Sequence, residues 1–469
     1  MRALIAATLL IAASALSSCG GTASPSAAAA TRDLRVRLVA SDGAANDYFG
    51  GALWYNTFVT PVAPVYYATP GEAATNSAGT RAVIGAPGHA IGSQLGAGSA
   101  YVYEGTNDTW HQTTALTATG PAAYDGFGWS VAMTGDGNTL AVGAPYRSTA
   151  DNPRQGFVYV FHATDNGWTL GAELTQSDGH TDDNYGWSVA FSRDGNTLIV
   201  GAPGYRVLDN PDRSGAAFVY NREGDDWTLA HQLVPPKTII GAAFGTSTAL
   251  SKNGKTALVT SADSIDANKV HHQGMSDVFT TSDNWHHEKH RVTLTDPNVN
   301  ADGTGDDYGV STSLSDDGRI AAIAAPGVDV DGLTAAGSVY IAQSTNSTWS
   351  DLVTTTQLKS PAPARFDAYG SAVAFSANGA SLVVGVDGAG ENDQGVVYRA
   401  TAQSSFLPRW RGGVEQQLVP APVVDPGSFG TAVAANENAS IIVATSPLRT
   451  IDGAANRGEA YVVSARGWG

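Results

Sequence analysis

Seven aromatic–glycine pairs recur along the chain, and they constrain its fold more than any other feature. They are Phe49-Gly50, Phe127-Gly128, Tyr185-Gly186, Phe244-Gly245, Tyr308-Gly309, Tyr369-Gly370 and Phe429-Gly430. Successive glycines stand 78, 58, 59, 64, 61 and 60 residues apart. In the last six segments a second landmark follows 15 residues after the glycine, at Gly143, Gly201, Thr260, Ala324, Gly385 and Thr445. A fixed offset of that length is what a tight hairpin imposes, because the turn sets the register of the two strands. In the first segment the landmark is Gly85, 35 residues after Gly50, so an insertion of about 20 residues is expected within 52–80.

One repeat shows the strands most clearly. Residues 127–133 alternate apolar with small or polar side chains, and Gly135-Asp136-Gly137-Asn138 has the composition of a hairpin turn. Residues 139–144 are nearly all apolar, which predicts a strand covered on both faces, and Pro145 ends it. Phe157–Phe161 reads as a third strand and Trp168–Leu174 as a fourth. Four short antiparallel strands in about 60 residues make one propeller blade. The expected fold is therefore all-β: a seven-bladed β-propeller of four-stranded antiparallel blades. A tryptophan opens each fourth strand, at Trp110, Trp168, Trp227, Trp285, Trp349, Trp410 and Trp468. An aromatic recurs in the third strand at Tyr101, Tyr159, Phe218, Tyr340, Tyr398 and Tyr461. Repetition around the ring marks these aromatics as packing, since a binding site needs to occur only once.

The last repeat stops at Trp468-Gly469, where its fourth strand is due, while Leu34–Val39 forms a strand with no blade of its own. Set beside Tyr461–Ser464, this N-terminal strand completes the last blade and closes the ring, removing two open edges.

These landmarks resemble the FG-GAP repeat of the integrin α-subunit N-terminal β-propeller and its bacterial lipoprotein relatives. Gly85-Ala86-Pro87, Gly143-Ala144-Pro145 and Gly201-Ala202-Pro203 carry the second half of that motif, and Ala325-Pro326 retains part of it. The resemblance implies an extracellular binding or adhesion module, and in several relatives Ca²⁺ bound in the first hairpin of a blade. The hairpins here are too short for that: Gly135–Asn138, Arg193–Asn196, Lys252–Lys255 and Asp316–Arg319 lack the spaced oxygen ligands of a 6–8-coordinate ion.

Charge and leader narrow the setting. The 469-residue chain has a net charge of −17, which argues against nucleic acid as a partner. Arg2 precedes an apolar run over Ala3–Ala15 that ends Leu16-Ser17-Ser18-Cys19, and Cys19 is the chain's one cysteine. Residues 1–19 are expected to be a lipoprotein-type signal peptide with Cys19 as the lipidated residue, and 20–32 a flexible tether ahead of a single propeller over 33–469. Export, attachment to the cell-envelope membrane through the lipid alone, and a monomeric state follow as expectations.

Three features occur once. Asn298, Asn300, Asp302 and Asp306 fall at alternating ligand positions of a calcium-loop pattern, with Asp296 and Asp307 as supplements. The competing account is a turn whose carboxylate caps backbone N–H groups, because Asp42-Gly43 with Asp47, and Asp178-Gly179 with Asp182 and Asp183, repeat the arrangement. His286 and His290 lie on one face of a strand with Glu288, a transition-metal pattern or a polar outer edge. Trp54, Tyr55, Phe58, Tyr66 and Tyr67 sit in the insertion, as a binding surface or as a lid over the propeller itself. No Gly-x-Ser-x-Gly elbow or phosphate loop is present. The expected function is non-catalytic recognition of a protein or glycan at the cell surface through propeller loops. The alternatives are a propeller enzyme acting on glycans or phosphoesters, and a structural or assembly lipoprotein of the envelope.

Overall fold

The second strand of each repeat is apolar on both faces, so each sheet must be covered on both sides, and a ring of sheets is one way to do this. The computed structural model describes residues 35–51, 53–54, 67–68, 73–106, 109–207, 214–237, 241–262, 264–265, 271–272, 274–298, 306–351, 353–390, 394–403, 410, 414–418 and 427–464. Among them are seven four-stranded antiparallel sheets. With strands lettered A to D outward from the ring axis, blade 1 is Ala73–Thr75, Arg81–Ala86, Ser99–Thr106 and Thr109–Leu116. Blade 2 is Ser130–Met133, Thr139–Ala144, Phe157–Thr164 and Gly167–Leu174. Blade 3 is Ser188–Phe191, Thr197–Ala202, Ala216–Glu223 and Asp226–Leu233. Blade 4 is Phe244–Leu250, Thr256–Ser261, Met275–Thr281 and Glu288–Thr295. Blade 5 is Thr312–Leu314, Ile320–Ala325, Ser338–Gln343 and Thr354–Leu358, and blade 6 is Tyr369–Phe375, Ser381–Val386, Val396–Thr401 and Val414–Leu418. Blade 7 takes Val433–Ala435, Ile441–Ser446 and Glu459–Ser464 from the end of the chain and Arg35–Leu38 from its beginning.

Ring closure is thus as expected. Arg35 pairs with Val463, Val36 with Val462, Arg37 with Tyr461 and Leu38 with Ala460. Charge reinforces the seam: the buried Glu459 carboxylate accepts from Arg37 and from Arg449 Nε, the latter at 3.0 Å, and from the Tyr461 hydroxyl at 2.9 Å.

The core is divided among the gaps. Seven hydrophobic clusters occur, each drawn from two adjacent blades. Val83, Val102 and Leu116 of blade 1, for example, meet Val131, Leu140 and Val142 of blade 2. The repeated aromatics are packing residues. The aromatic of each aromatic–glycine pair lies 5.3–6.0 Å from the third-strand aromatic of its own repeat in six blades. Trp285, Trp349 and Trp410 donate Nε1–H to the carbonyls of Gly254, Gly318 and Gly379 in their own A–B turns, at 2.7, 2.7 and 3.1 Å. Trp468 lies outside the described residues.

The glycines permit the blades to approach. Gly128 has φ of 93°, and a Cβ on Gly85 of blade 1 would stand 1.9 Å from the Gly128 carbonyl oxygen of blade 2. The two landmarks of the repeat are therefore the two sides of one backbone contact between neighbouring blades.

At the opposite end of strand A, the A–B turns form a closed belt of backbone hydrogen bonds. The Ser77 amide donates to Gly135, Gly135 to Arg193, and Asp194 to Lys252. Lys252 donates to Asp316, Asp316 to Ala377, Ala377 to Glu437, and Glu437 back to Ser77. Arg193 also spans the belt as a chord, with Nε donating to Asp316 of blade 5 at 2.7 Å and Nη1 to the Ser77 hydroxyl of blade 1 at 3.3 Å.

The insertion leaves the blade between Gly50 and strand A. Leu53–Trp54 and Tyr67–Ala68 pair as a short hairpin, and residues 73–80 are the regular strand and turn of blade 1. The backbone of Tyr67–Ala68 comes within 8 Å of strand A of blade 6, so the hairpin reaches past blade 7.

Replacing Gly128 with Ala should destabilise the fold by about 3 kcal/mol or more, because it adds a Cβ 2.3 Å from the Ser99 carbonyl at a strained φ. Denaturant unfolding would measure it; a loss below about 1 kcal/mol would show that the blades need not meet this closely.

Candidate functional site

Two sets of loops make one face of the ring: those joining strand B to strand C, and those joining strand D to strand A of the next blade. Backbone bonds tie the sets together around the ring. Tyr124 and Gly126 donate to Leu95 and Gly96, Asp182 and Asn184 to Pro153 and Arg154, and Phe366 and Ala368 to Thr334 and Ala335.

The aspartate two residues before the aromatic is a recurring cap. The Asp47, Asp125, Asp183 and Asp367 carboxylates accept the backbone N–H three residues earlier, at 2.6, 2.9, 2.6 and 2.6 Å. This is the capping turn weighed against the calcium loop in the sequence, and it is present at Asp47 and Asp183, as that account requires. Of the four residues in the calcium pattern, Asn298 and Asp306 are described, and Asn300 and Asp302 lie outside the described residues. Both Asp296 and Asp306 are buried.

The A–B hairpins do not suit calcium. In each of five turns the Asx side chain is already used by its own turn: Asp136, Asp194, Asn253, Asp317 and Asn378 accept the Ser or Thr hydroxyl two residues earlier, at 2.6–3.0 Å. Each also accepts the backbone N–H two residues later.

The histidines of blade 4 do not converge. His290 Nε2 is 3.0 Å from Asp277, His287 Nδ1 is 2.6 Å from Asp283, and Glu288 contacts His231 of blade 3 at 2.6 Å. Glu288 is turned to His231 and His290 to Asp277, so His286, Glu288 and His290 do not assemble into a metal site. Among the described residues no three His, Cys, Asp or Glu side chains form one. Asp277 itself stands where the other repeats carry the third-strand aromatic.

The aromatics of the insertion fall largely outside what is described: Tyr55, Phe58 and Tyr66 lie outside the described residues, as does Cys19, and Trp54 and Tyr67 are described in their backbone only. A different aromatic group is visible on the loop face. Trp129 and Trp187, each directly after an aromatic–glycine pair, have ring centroids 4.9 Å apart, and Tyr146 stands 5.1 Å from Trp129 and 6.3 Å from Trp187. The equivalent residues elsewhere are Gly51, Thr246, Val310, Ser371 and Thr431, so the group occurs once. Nearby, Leu95 and Tyr124 are 59% and 68% exposed, and Phe366 is 59% exposed across the face. Tyr124 and Phe366 hold φ of 65° and 64°, where the corresponding loops place Asn46 and Asp182. A bulky residue in that conformation costs on the order of 1–3 kcal/mol. The opposite face carries a polar cleft of about 610 Å³ between blades 1 and 2, whose Arg81 is paired with Glu104 at 2.8 Å.

At the ring seam the loop face holds a titrating group. His89 Nδ1 lies 2.9 Å from Asp47, and its Nε2 is 3.7 Å from Asp42, which also accepts the Tyr101 hydroxyl. The hydrogen bond to Asp47 raises the imidazole pKa above its ordinary 6.5, against the opposing effect of burial. A folded-state value above the unfolded one means this stabilisation is complete below pH 6.5 and is lost as pH rises through the raised value. His89→Gln should therefore lose stability relative to wild type in acid and approach it in alkali; a gap that widens with pH would contradict the pairing. Unfolding midpoints measured across that range provide the comparison.

The FG-GAP repeat family model matches residues 110–161 and 168–220. Each match begins at the tryptophan of one blade's strand D and ends in strand C of the next, so the sequence repeat is offset from the blade by one strand. No curated protein matches the chain. The chain thus carries FG-GAP repeats set in a seven-bladed β-propeller, an arrangement consistent with an integrin α-like propeller.

Proposed function

We propose that the protein is a non-catalytic surface module that binds a protein or glycan through its loop face. An FG-GAP propeller fits a binding or adhesion role, but a fold alone does not name a partner. The observation that carries the reading is the division of the aromatics. Those that repeat in every blade pack in the blade gaps, whereas the partly exposed Trp187 and Tyr146 gather with the buried Trp129 and the exposed Tyr124 on one face, a combination found once around the ring. Aromatic side chains with few rotatable bonds are efficient anchors for sugars and proteins.

The setting proposed for this module is the outside of the cell, with the chain exported and held to the membrane by a lipid on Cys19. The lone cysteine after an apolar leader supports this, and the acidic surface suits a soluble domain. Mass spectrometry of the mature N-terminus would detect the modified cysteine, and an unmodified N-terminus elsewhere would remove the anchor.

Arrays of glycans and envelope proteins probed with the purified chain should reveal a ligand. Trp187→Ala and Tyr124→Ala should each weaken its binding by about tenfold without lowering the melting temperature of the fold. Undiminished binding by both variants would move the site elsewhere. Turnover of glycosides or phosphoesters by the wild-type chain would overturn the non-catalytic reading.

A further inference from the structure

Seven strands A converge on the ring axis, and small side chains keep them from filling it. The residue four positions after the glycine of the aromatic–glycine pair is Ala132, Ala190, Ala249, Ser313, Ala374 or Ala434, and Ala74 holds the same register position in blade 1. Ala74, Ala190, Ser313 and Ala374 are partly exposed. Strand A is the innermost strand of its blade, so this exposure is toward a channel along the axis. At the A–B end the channel mouth is encircled by one turn residue from each blade: Ser77, Gly135, Arg193, Lys252, Asp316, Ala377 and Glu437. Their main chains carry the closed belt of hydrogen bonds.

Arg193 of blade 3 reaches across this mouth. Its Nε donates to Asp316 of blade 5 at 2.7 Å and its Nη1 to the Ser77 hydroxyl of blade 1 at 3.3 Å. Each partner stands two blades away, on opposite sides of Arg193, so both contacts cut across the belt instead of following it. The residue between Arg193 and Ser77 is Gly135, whose φ is not in the left-handed region, so its backbone conformation does not call for glycine. Space does. A Cβ there would stand 2.5 Å from the Arg193 carbonyl oxygen, 2.7 Å from Arg193 Cγ and 2.9 Å from the Ser77 hydroxyl oxygen. On the other side, between Arg193 and Asp316, the intervening Lys252 is exposed. The Arg193 and Asp316 side chains are 22% and 19% exposed, against 48% and 65% for the surface pair Lys359–Asp331. Salt screens a partly buried pair much less than an exposed one.

We propose that Arg193 is a bolt across the A–B mouth: held to Asp316 and Ser77, it controls entry to the channel from this face and ties blades 1 and 5 to blade 3. A guanidinium suits the task because its rigid fork of N–H donors lets one side chain meet two blades at once. The belt joins each blade to its neighbours, whereas the bolt links blades that are not neighbours and so resists widening of the ring. With this mouth barred, the channel is left to be entered from the loop face, where Trp129 and Trp187 stand just before strand A of blades 2 and 3. The bolt does not depend on the loop face being the ligand-binding surface.

The test places a thiol in the channel wall of the full chain. Ala190→Cys in a Cys19→Ser background is treated with N-ethylmaleimide under native conditions, and labelling is followed by mass spectrometry. Adding Arg193→Ala should speed labelling by about tenfold or more, because the protection lost is that of a local barrier. Asp316→Ala unpins Arg193 without removing it and should speed labelling by a smaller factor, a readout that does not require Arg193→Ala to fold. Glu437→Gln alters an exposed belt charge outside the bolt and should leave the rate as it is. In thermal unfolding Arg193→Ala and Asp316→Ala should each lower the melting temperature, and the double variant should melt no lower than the worse single one. Labelling no faster in either bolt variant than in its absence would show that Arg193 does not control this mouth and would overturn the proposal. Full additivity of the two melting losses would overturn the tie between blades.

Discussion

The structure depends on the pairing of Arg35–Leu38 with Glu459–Ser464. Each blade buries its hydrophobic surface only against its two neighbours, so an open ring would expose the faces of two sheets and leave two strand edges unpaired. Closure by the chain's own beginning supplies the missing strand of blade 7. The seam is also where the charges are concentrated: Arg37, Arg449 and Glu459 lie on one side of it, and Asp42, Asp47 and His89 on the other. The belt of A–B turns repeats the closure in backbone, with the Glu437 amide of blade 7 donating to Ser77 of blade 1.

That constraint explains the sequence motif. Neighbouring blades touch through backbone at Gly85 and Gly128, Gly143 and Gly186, Gly201 and Gly245, and Gly385 and Gly430. Where the second glycine is replaced, the contact is remade by other means: the Thr260 hydroxyl donates to the Gly309 carbonyl at 2.6 Å. Requirements of this kind act on the strands and the A–B turns. The loops of the opposite face are held by their capping aspartates, by a few backbone bonds and by side-chain pairs that differ from blade to blade, which leaves their remaining positions more freedom. Tyr124 and Phe366 use that freedom at some cost in backbone strain.

Blade number, strand order and the closing strand were all legible in the sequence, because a fixed 15-residue offset and a period near 60 survive even where the motif residues change. The belt was not, since it is made of main-chain atoms and runs through residues as different as Gly135, Arg193 and Glu437. The chord from Arg193 to Asp316 links residues 123 apart, and no local pattern announces it. Two signals were available and carried information: the constant 31 residues from an A–B turn glycine to its tryptophan, at Gly254 and Trp285, Gly318 and Trp349, and Gly379 and Trp410, and the absence of a third-strand aromatic in the fourth repeat, where Asp277 stands. For the site, alternating oxygen side chains drew attention to a segment of which Asn298 and Asp306 are described. Spacing along the chain could not show that Asp296 and Asp306 are both buried, or that the Asn298 side chain reaches the Tyr340 hydroxyl. Of the two readings of the His cluster, the polar outer edge is the one the contacts fit, since the imidazoles find separate carboxylates.

The most direct test of the closed ring is a cross-link across its seam. Val36 and Val462 are register partners, and the chain's native cysteine is confined to Cys19. Val36→Cys with Val462→Cys, in a Cys19→Ser background, should form an intramolecular disulfide under mild oxidation and raise the melting temperature, with neither single variant doing so. Two free thiols after oxidation, in a chain that remains folded, would mean that the N-terminal strand does not complete blade 7 and that the ring closes in some other way.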